Sequence, residues 1–312
     1  MVLPAPGLSL FRRCLVATVT LAVAVGIVSS PAAATAPRRS AGGQSDPLAT
    51  LEPLGPGGQV VIIIVDGLRP DLISAENTPT LTRLIEEGAA TLEAQTVRPN
   101  VTLPAITSIL TGIRPRDHRV TWNDYEPDRG VVEATTVFHV VKEAGLGTAF
   151  FSGKVKLRHA APPEVIDNMS VRFLPDVSVV ILARGHLPEA GPGLTVVHLP
   201  NNDRAGHEYG WGSKQQREAL RATDIAIASL IETIETDERI GPTRVIVTAD
   251  HGGDGKNHQR RSRLTSTVPW IIWGASVEPA ELESVSVLIT AATALRSLGL
   301  EVPGHMIEGG LE

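Results

Sequence analysis

The sequence predicts an α/β fold in which helices cover both faces of a mostly parallel central sheet. Continuous runs of β-branched and aliphatic residues, which suit strands buried on both faces, occur at Gln59–Val65, Leu194–Leu199 and Val245–Val247. Segments of helical periodicity separate these runs, and strands that alternate with helices form parallel sheets. The 312 residues, 42% of them hydrophobic, fit one large domain or two small ones, and we expect a single domain over residues 59–312.

The amino-terminal residues 1–36 have the layout of a secretory signal peptide. Two arginines precede the uncharged run Cys14–Val28, and small residues follow it. We therefore expect a secreted or extracytoplasmic protein without a stable membrane partner. The apolar run is short for a membrane span, and an uncleaved amino-terminal anchor is the alternative. Residues 37–58 are rich in Pro, Gly, Ser and Ala, which is typical of a flexible linker.

The net charge and the cysteine content argue against a nucleic-acid-binding protein and against a protein stabilised by disulfides. The formal net charge of −6 argues against a nucleic-acid-binding surface. It is compatible with a phosphate site, because bound metal ions supply local positive charge. The only cysteine, Cys14, lies in the signal segment, so the cleaved protein would contain no disulfide.

The first strand, Gln59–Val65, is followed at once by Asp66. Ligands of open parallel sheets gather at the carboxyl ends of strands, so Asp66 is a candidate site residue. The alternative is that Asp66 only caps the next turn. The following segment, Thr78–Gly88, predicts an amphipathic helix with Leu81 and Leu84 on its buried stripe.

The segment Val101–Gly112 predicts a helix from Ala105 onward. Thr102 then lies just before a helix amino terminus, where an oxyanion or phosphate is favoured. The alternative is that Thr102 only caps this helix. A loop-like stretch follows, and it contains His118, which we expect to be structural, and Asn123.

Two later strands also lead into polar side chains. The strand Thr148–Ser152 precedes Lys154, and the strand Leu194–Leu199 precedes a predicted loop with Asp203 and His207. These last two residues are four apart, a common spacing for two ligands of one metal ion. The remaining predicted elements are the helices Asp176–Leu187, Leu220–Ile234 and Ser284–Leu298 and the strand Val268–Trp273.

The densest group of candidate ligands follows the strand around Val245–Val247. Asp250 and His251 come directly after it, and His258 follows two glycines and a short loop. Carboxylate and imidazole groups in this arrangement are typical metal ligands, and glycine lets the backbone turn sharply beside an ion. The alternative is a polar turn with a capping Asp and a surface His.

Taken together, the candidate residues at the strand ends are about as many as a two-metal site needs. Two divalent ions about 4 Å apart need about this many ligands, and an imidazole-rich mixed set favours zinc over magnesium or calcium. The seven candidate ligands are Asp66, Thr102, Asp203, His207, Asp250, His251 and His258.

The order of these motifs resembles the alkaline phosphatase superfamily, most closely its nucleotide pyrophosphatase/phosphodiesterase branch. Asp66 in VDGLRP matches the first metal-binding Asp, and Thr102 in VTLP matches the nucleophile, which that branch embeds in Thr-Phe-Pro-Asn. Asn123 falls where the family has a phosphate-binding Asn. The sequence departs from the family after the nucleophile, where Ala105 and Ile106 replace a usual Asn and His.

The later motifs follow in the same order. DRAGH, with Asp203 and His207, matches Asp-x-x-Gly-His; Asp250 and His251 match Asp-His-Gly; and His258 is the best match for the final ligand. The resemblance implies two metal-binding triads. The first triad would be Asp203, His207 and His258, and the second triad would be Asp66, Asp250 and His251.

The resemblance implies a metal-dependent phosphodiesterase or nucleotide pyrophosphatase with a threonine nucleophile, acting on a small-molecule phosphoester, and the amino-terminal segment predicts that this enzyme is secreted. Thr102 would be the nucleophile and a ligand of the ion in the second triad. Asn123 and the backbone amide of Thr102 would bind a non-bridging phosphate oxygen. Lys154 is a further candidate for substrate binding, and the alternative is a solvated loop lysine.

Other activities use the same kind of site. A phosphomonoesterase or a phosphonate hydrolase would need the same residues, whereas a sulfatase needs a convertible Cys or Ser, and Thr102 is neither. A non-catalytic secreted binding protein is the alternative from another class. We expect a preference for diesters over monoesters, because Asn123 is a neutral donor and only Lys154 would supply the cation that a dianionic monoester needs.

Overall fold

The centre of the fold is one eight-stranded sheet, seen in a computed structural model that describes Leu48 and residues 51–306. Its strands run in the spatial order β4-β3-β5-β1-β6-β7-β2-β8. They are β1 (Gln59–Val65), β2 (Ala89–Gln95), β3 (Gly147–Ser152), β4 (Asn168–Val171), β5 (Gly193–Leu199), β6 (Thr243–Thr248), β7 (Thr267–Gly274) and β8 (Ala280–Glu281).

Strand directions confirm the predicted mostly parallel sheet. Only β7 runs against its neighbours, β6 and β2, and the other neighbouring pairs are parallel. Strand β1 lies between β5 and β6, and all seven of its residues are buried. In this register Val65 pairs with Leu199, and Ile64 pairs with Thr248. The carboxyl ends of the three central strands therefore lie level with one another.

Helices pack around the sheet in two groups, as predicted. Helices α2, α4 and α9 contact one another, and helices α1, α5, α6 and α7 form the other group through their contacts with α7. None of the described helices is long and apolar enough to span a membrane. The helices are α1 (Pro79–Glu87), α2 (Thr102–Thr111), α3 (Pro115–His118), α4 (Val137–Glu143), α5 (Asp176–Ala190), α6 (Asn201–Tyr209), α7 (Lys214–Thr236), α8 (Arg263–Ser266) and α9 (Ile289–Ser297).

The stretch after β5 was expected to be a loop, and that prediction was wrong, because residues Asn201–Tyr209 form helix α6. Its Asn, Asp and Gly residues have low helix propensity, and tertiary contacts compensate for this. The side chain of Asn202 donates to the carbonyl of Asp66 at 2.9 Å, and Arg204 donates to the carbonyl of Gly153 at 2.7 Å. Asp203 and His207 therefore share one helical face.

Helix α2 begins earlier than the sequence indicated. Its first residue is Thr102, not Ala105, and its amino-terminal cap is Val101. Pro104 is compatible with this start, because the first N–H groups of a helix have no intrahelical acceptor. The hydrogen-bond contacts described for Oγ1 of Thr102 are to the side chains of His251 and Lys154 and not to the backbone of α2.

The last helix is shorter than predicted, because the chain before it pairs with β2. The amide of Gln95 donates to the carbonyl of Val285 at 2.8 Å, and the amide of Val287 donates to the carbonyl of Gln95 at 3.0 Å. Residues 285–287 therefore pair with Gln95 in an isolated parallel bridge, and helix α9 begins only at Ile289. Strands β2, β4 and β8 were not predicted.

The end of the expected linker packs against the domain. Leu51 and Leu54 pack on the hydrophobic core, and the amide of Leu54 donates to the carbonyl of Ser297 at 2.9 Å. The buried guanidinium of Arg244 donates to the carbonyl of Glu52 at 2.7 Å. The proposed signal segment, residues 1–36, lies outside the described residues.

Candidate active site

Three buried carboxylates meet at the carboxyl ends of the central strands. Asp66 follows β1 directly, Asp203 lies in the first turn of α6 after β5, and Asp250 comes two residues after β6. The relative exposures of Asp66, Asp203 and Asp250 are 0%, 3% and 0%. Burying three carboxylates together is unfavourable without cations, so this cluster indicates a binding site.

The structure brings together both predicted triads. In each of them one ligand atom per residue lies within 4.8 Å of the others. The two triads are adjacent, because the rings of His251 and His258 stack with their centroids 3.7 Å apart and an interplanar angle of 8°. His207 is the most exposed member, with 45% of its side chain accessible.

Three carboxylate oxygens point into these triads without a hydrogen-bond partner among the described residues. They are Asp66 Oδ1, Asp203 Oδ1 and Asp250 Oδ2, and all are buried. Each lies between 3.2 and 3.6 Å from an imidazole Nε2. Buried polar atoms are almost always paired, so these oxygens fit a site in which metal ions complete their coordination.

The imidazole rings are oriented so that Nε2 faces the triads. In each ring Nδ1 donates to a backbone carbonyl, which accepts but does not donate, and this leaves Nε2 as an unprotonated ligand atom. The three bonds are His207 Nδ1 to Lys256 O at 3.0 Å, His251 Nδ1 to Gly252 O at 2.8 Å, and His258 Nδ1 to Asn100 O at 2.9 Å.

Burial also keeps two of these rings neutral. It lowers the pKa of His251, and it lowers the pKa of His258 to about 4. The carboxylate of Asp203, whose Oδ1 lies 3.4 Å from Nε2 of His207, raises the pKa of that ring instead. Metal ions bind the neutral imidazole, so His251 and His258 are in the binding form at pH 7.

The carboxylates of the second triad differ in their affinity for protons. Burial, followed by the charge of Asp66, raises the pKa of Asp250 well above its ordinary value. Burial acts on Asp66 in the same direction, but Lys154 and His198 outweigh it and hold the pKa of Asp66 well below its ordinary value. Asp66 is therefore the ionised member of this pair in the absence of cations.

Thr102 lies where the two triads meet. Its side chain is buried, and its Oγ1 lies 3.5 Å from Nε2 of His251 and 3.3 Å from Nζ of Lys154. Lys154 in turn contacts a carboxylate of each triad, with Nζ 2.6 Å from Asp66 Oδ2 and 2.5 Å from Asp203 Oδ2. The hydroxyl is thus placed beside both groups of candidate ligands.

The side chain of Asn123 contacts the amino-terminal end of helix α2. Its Oδ1 accepts a hydrogen bond from the amide of Leu103 at 2.9 Å. An amide side chain carries donors as well as an acceptor, so this bond leaves Nδ2 able to donate to a substrate oxygen beside Thr102. The bond also ties Asn123 to the first turn of α2, which contains Thr102 and Ala105.

Lys154 is part of the site and is not a solvated loop lysine. Only 13% of its side chain is exposed. Burial alone would lower the pKa of Lys154, but the charges of Asp66, Asp203 and Asp250 outweigh it and raise that pKa. The amine therefore stays charged at neutral pH, within reach of any group bound at Thr102.

Sequence reasoning missed His198, which lies in the buried strand β5 with no exposed surface. Its Nε2 lies 3.0 Å from Asp66 Oδ2, and its Nδ1 lies 3.1 Å from Oγ of Ser152. The available signal was an ionisable residue in a strand that otherwise contains only uncharged residues, since buried polar groups need partners. His118, in contrast, is a structural histidine as expected, bonded to Ser108 and to the amide of Val120.

Comparisons with known proteins place the chain in a family. The profile of type I phosphodiesterase / nucleotide pyrophosphatase matches residues 60–266. The chain belongs to this family. The bis(5'-adenosyl)-triphosphatase enpp4 of Xenopus laevis is 24% identical over 232 residues, which are 67% of this chain and 50% of that protein. An uncharacterised pyrophosphatase/phosphodiesterase of Schizosaccharomyces pombe is 24% identical over 62% of this chain and 44% of its own length.

Solved structures share the fold of this phosphodiesterase-family chain. Human ectonucleotide pyrophosphatase/phosphodiesterase 5 superposes with a TM-score of 0.64 at 13% identity, over 79% of this chain and 96% of that one. BT4656, in complex with D-glucosamine-2-N,6-O-disulfate, superposes with a TM-score of 0.62 at 14% identity, over 80% of this chain and 78% of that one. The chain spans about half or less of the length of the curated relatives it matches.

Proposed function

We propose that this family member is a two-metal phosphoester hydrolase that cleaves phosphodiesters of small molecules with Thr102 as the nucleophile. One observation carries the proposal. Thr102 Oγ1 lies beside two triads, and three buried carboxylate oxygens in them lack hydrogen-bond partners among the described residues. These oxygens face imidazole Nε2 atoms at 3.2 to 3.6 Å, an arrangement that supports shared metal ions as their partners.

The first triad would hold one ion, and the second triad together with Thr102 would hold the other. Bound divalent ions would lower the pKa of the Thr102 hydroxyl and stabilise charge on the leaving oxygen. Three imidazoles and three carboxylates favour zinc in both positions. The chemistry of the donors therefore supports zinc as the cofactor.

The residues of the chain have distinct parts in the proposed reaction. Thr102 Oγ1 attacks phosphorus in line and displaces the leaving alcohol, which gives a phosphothreonine. Water then attacks the phosphorus of this ester and breaks its bond to Oγ1, which returns a proton to Oγ1 and releases the phosphomonoester that carries the second substituent of the substrate. Asn123 Nδ2 and the amide of Thr102 would stabilise the charge that builds on a non-bridging oxygen.

Hydrolysis of a nitrophenyl phosphodiester by the purified, zinc-loaded protein tests this proposal. Release of nitrophenol in proportion to the enzyme, with saturation by substrate, is the expected result. A zinc-loaded protein that binds the diester without turnover would instead support the non-catalytic binding protein.

Phosphomonoester hydrolysis is the second candidate, and the position of Lys154 favours it. A monoester presents one more negative charge than a diester, and a charge-assisted contact is worth about 1.5–3 kcal/mol. The amine of Lys154, 3.3 Å from Thr102 Oγ1, is close enough to supply this contact. Diester cleavage remains the main proposal because of the family to which the chain belongs.

The substitution Lys154→Ala separates the two substrate classes. We expect kcat/KM for a nitrophenyl monoester to fall about ten- to a hundredfold more than kcat/KM for the matching diester. Lys142→Ala is the matched control, because it removes the same charge near the amino end of β3, where Lys142 pairs with Asp167, and should leave the ratio of the two values unchanged. Equal losses for both esters in Lys154→Ala would show that this amine does not recognise the second charge.

We also propose that the protein is exported and cleaved near Ala36. The arginines, the apolar run and the small residues of the first 36 positions support this proposal. The intact mass of material collected outside the cells should correspond to a chain that begins near residue 37. Recovery of the full-length chain in the membrane fraction would favour an uncleaved anchor.

A further inference from the structure

We infer that His198 is a positioning residue that fixes the carboxylate of Asp66, so that one oxygen is held by the protein and the other is left for a metal ion. The inference deepens the proposed function and rests on its second triad. His198 has no exposed surface and lies between Asp66 and Ser152. It belongs to neither triad.

The hydrogen bonds around His198 have one consistent direction. The amide of Lys154 donates to Oγ of Ser152 at 3.1 Å, and the Ser152 hydroxyl in turn has two acceptors within reach, the carbonyl of Lys154 at 3.4 Å and the nearer Nδ1 of His198. That hydroxyl lies 3.1 Å from Nδ1 of His198, and Nε2 of His198 lies 3.0 Å from Asp66 Oδ2. An ionised carboxylate only accepts, so the ring proton is on Nε2 and Nδ1 accepts from Ser152.

This pattern is the reverse of the one in the candidate ligands. His207, His251 and His258 donate from Nδ1 and present a free Nε2 to the triads. In His198 both nitrogens have partners, so the ring is unable to serve as a ligand without losing one. Its role must therefore pass through Asp66.

The two oxygens of Asp66 have different surroundings. Oδ2 receives Nε2–H of His198 and lies 2.6 Å from the amine of Lys154. Oδ1 is buried without a hydrogen-bond partner among the described residues, and it lies 3.6 Å from Nε2 of His251. Two donors on one side of the carboxylate thus direct the free oxygen toward the second triad.

His198 is the more rigid of these two donors. Lys154 has a long side chain and also contacts Asp203, so its amine can move toward a bound phosphoryl group. The imidazole of His198 is held within a central strand and by Ser152. When Lys154 turns toward substrate, His198 is the donor that keeps Asp66 in its orientation. Loss of such a supporting hydrogen bond typically weakens metal affinity about ten- to a hundredfold.

Metal affinity, measured by competition with a chelator for zinc, tests the inference. His198→Phe removes the donor and keeps a ring in the core, and we expect it to weaken one of the two ions about ten- to a hundredfold while the other is unaffected. His198→Gln offers an amide donor near the position of Nε2, and we expect it to recover most of that affinity. Thr195→Val, in the same buried strand, is the control and should bind both ions as the natural protein does.

The outcomes separate this inference from the proposed function. If the natural protein binds no zinc, the proposed function fails. If it binds two ions and cleaves the diester, but His198→Phe binds both equally tightly, only the role of His198 is overturned. Equal weakening in His198→Phe and His198→Gln would overturn it too, because the donor would then not matter.

The inference can still be tested if His198→Phe does not fold. Ser152→Ala removes the partner of Nδ1 and leaves the ring in place. We expect it to weaken the same ion as His198→Phe, by a smaller factor, with the melting temperature of the metal-free protein close to that of the natural protein. If His198→Phe does not fold, unchanged affinity for both ions in a folded Ser152→Ala would overturn the inference.

Discussion

Replacing Thr102 with alanine is expected to reduce kcat for the diester by a factor on the order of 10⁴ to 10⁶, because loss of a catalytic nucleophile typically has an effect of this size. The proposed phosphothreonine requires an oxygen on this side chain, and Oγ1 of Thr102 lies 3.5 Å from Nε2 of His251. The measurement is the steady-state rate at saturating diester and saturating zinc.

Metal content distinguishes a lost nucleophile from a damaged site. All six Asp and His candidates remain in Thr102→Ala, so we expect two zinc ions per chain, as in the natural protein. Thr107→Ala is the matched control, since Thr107 is a buried threonine of the same helix whose Oγ1 bonds to the carbonyl of Leu103 at 2.8 Å. It should keep kcat within a few-fold. A Thr102→Ala protein with the natural kcat would mean that this hydroxyl is not the nucleophile.

Much of the fold was predictable because its central strands carry a strong local signal. Strands β1, β5 and β6 are buried on both faces, and their residues read as continuous apolar runs. The elements that were missed have no such signal. Helix α6 is polar and is held by contacts of Asn202 and Arg204 with distant parts of the chain. The chain before α9 pairs with Gln95 through its backbone, which side-chain patterns do not reveal.

The candidate ligands were predictable for a different reason. The Asp and His candidates follow the ends of the central strands β1, β5 and β6, and a parallel sheet brings such ends together. Asp66 and Asp250 are therefore neighbours, and the amide of Gly67, beside Asp66, donates to Oδ1 of Asp250 at 3.1 Å. Thr102, at the start of α2, does not follow from this rule. The position of Lys154 depends on how its long side chain bends back over Asp66 and Asp203. His198 lies within a strand, and the rule that ligands gather at the carboxyl ends of strands does not apply to such a position.

Removal of the metal ions is expected to abolish hydrolysis and to destabilise the protein. At a free zinc concentration a thousand times the dissociation constant, each bound ion adds about 4 kcal/mol to the free energy of unfolding. Without ions, the buried oxygens of Asp66, Asp203 and Asp250 lose their expected partners. We therefore expect a chelator to lower the melting temperature and to remove activity, and added zinc to restore both.

The pH dependence of zinc binding follows from Asp250. Burial and the charge of Asp66 raise the pKa of Asp250 in the metal-free protein well above its ordinary value. Only the ionised carboxylate binds an ion, so protons compete with zinc, and the affinity should rise with pH until Asp250 is fully ionised. The affinity is measured by titrating the metal-free protein with zinc at several pH values, and the number of protons released on binding is measured at the same time. An affinity that does not change as the pH is lowered would contradict it.

Single substitutions assign the ions to their triads. Asp203→Asn removes a carboxylate from the first triad and Asp250→Asn removes one from the second, so each variant should retain about one ion per chain where the natural protein binds two. Asp224→Asn is the matched control, because Asp224 is equally buried, and its oxygens accept from the amides of Thr80 and Leu81 at 3.0 and 2.9 Å. Asp224 belongs to neither triad, so its variant should keep both ions. A natural protein that contains no zinc, and stays active after chelation, would exclude a metal-dependent reaction at these residues.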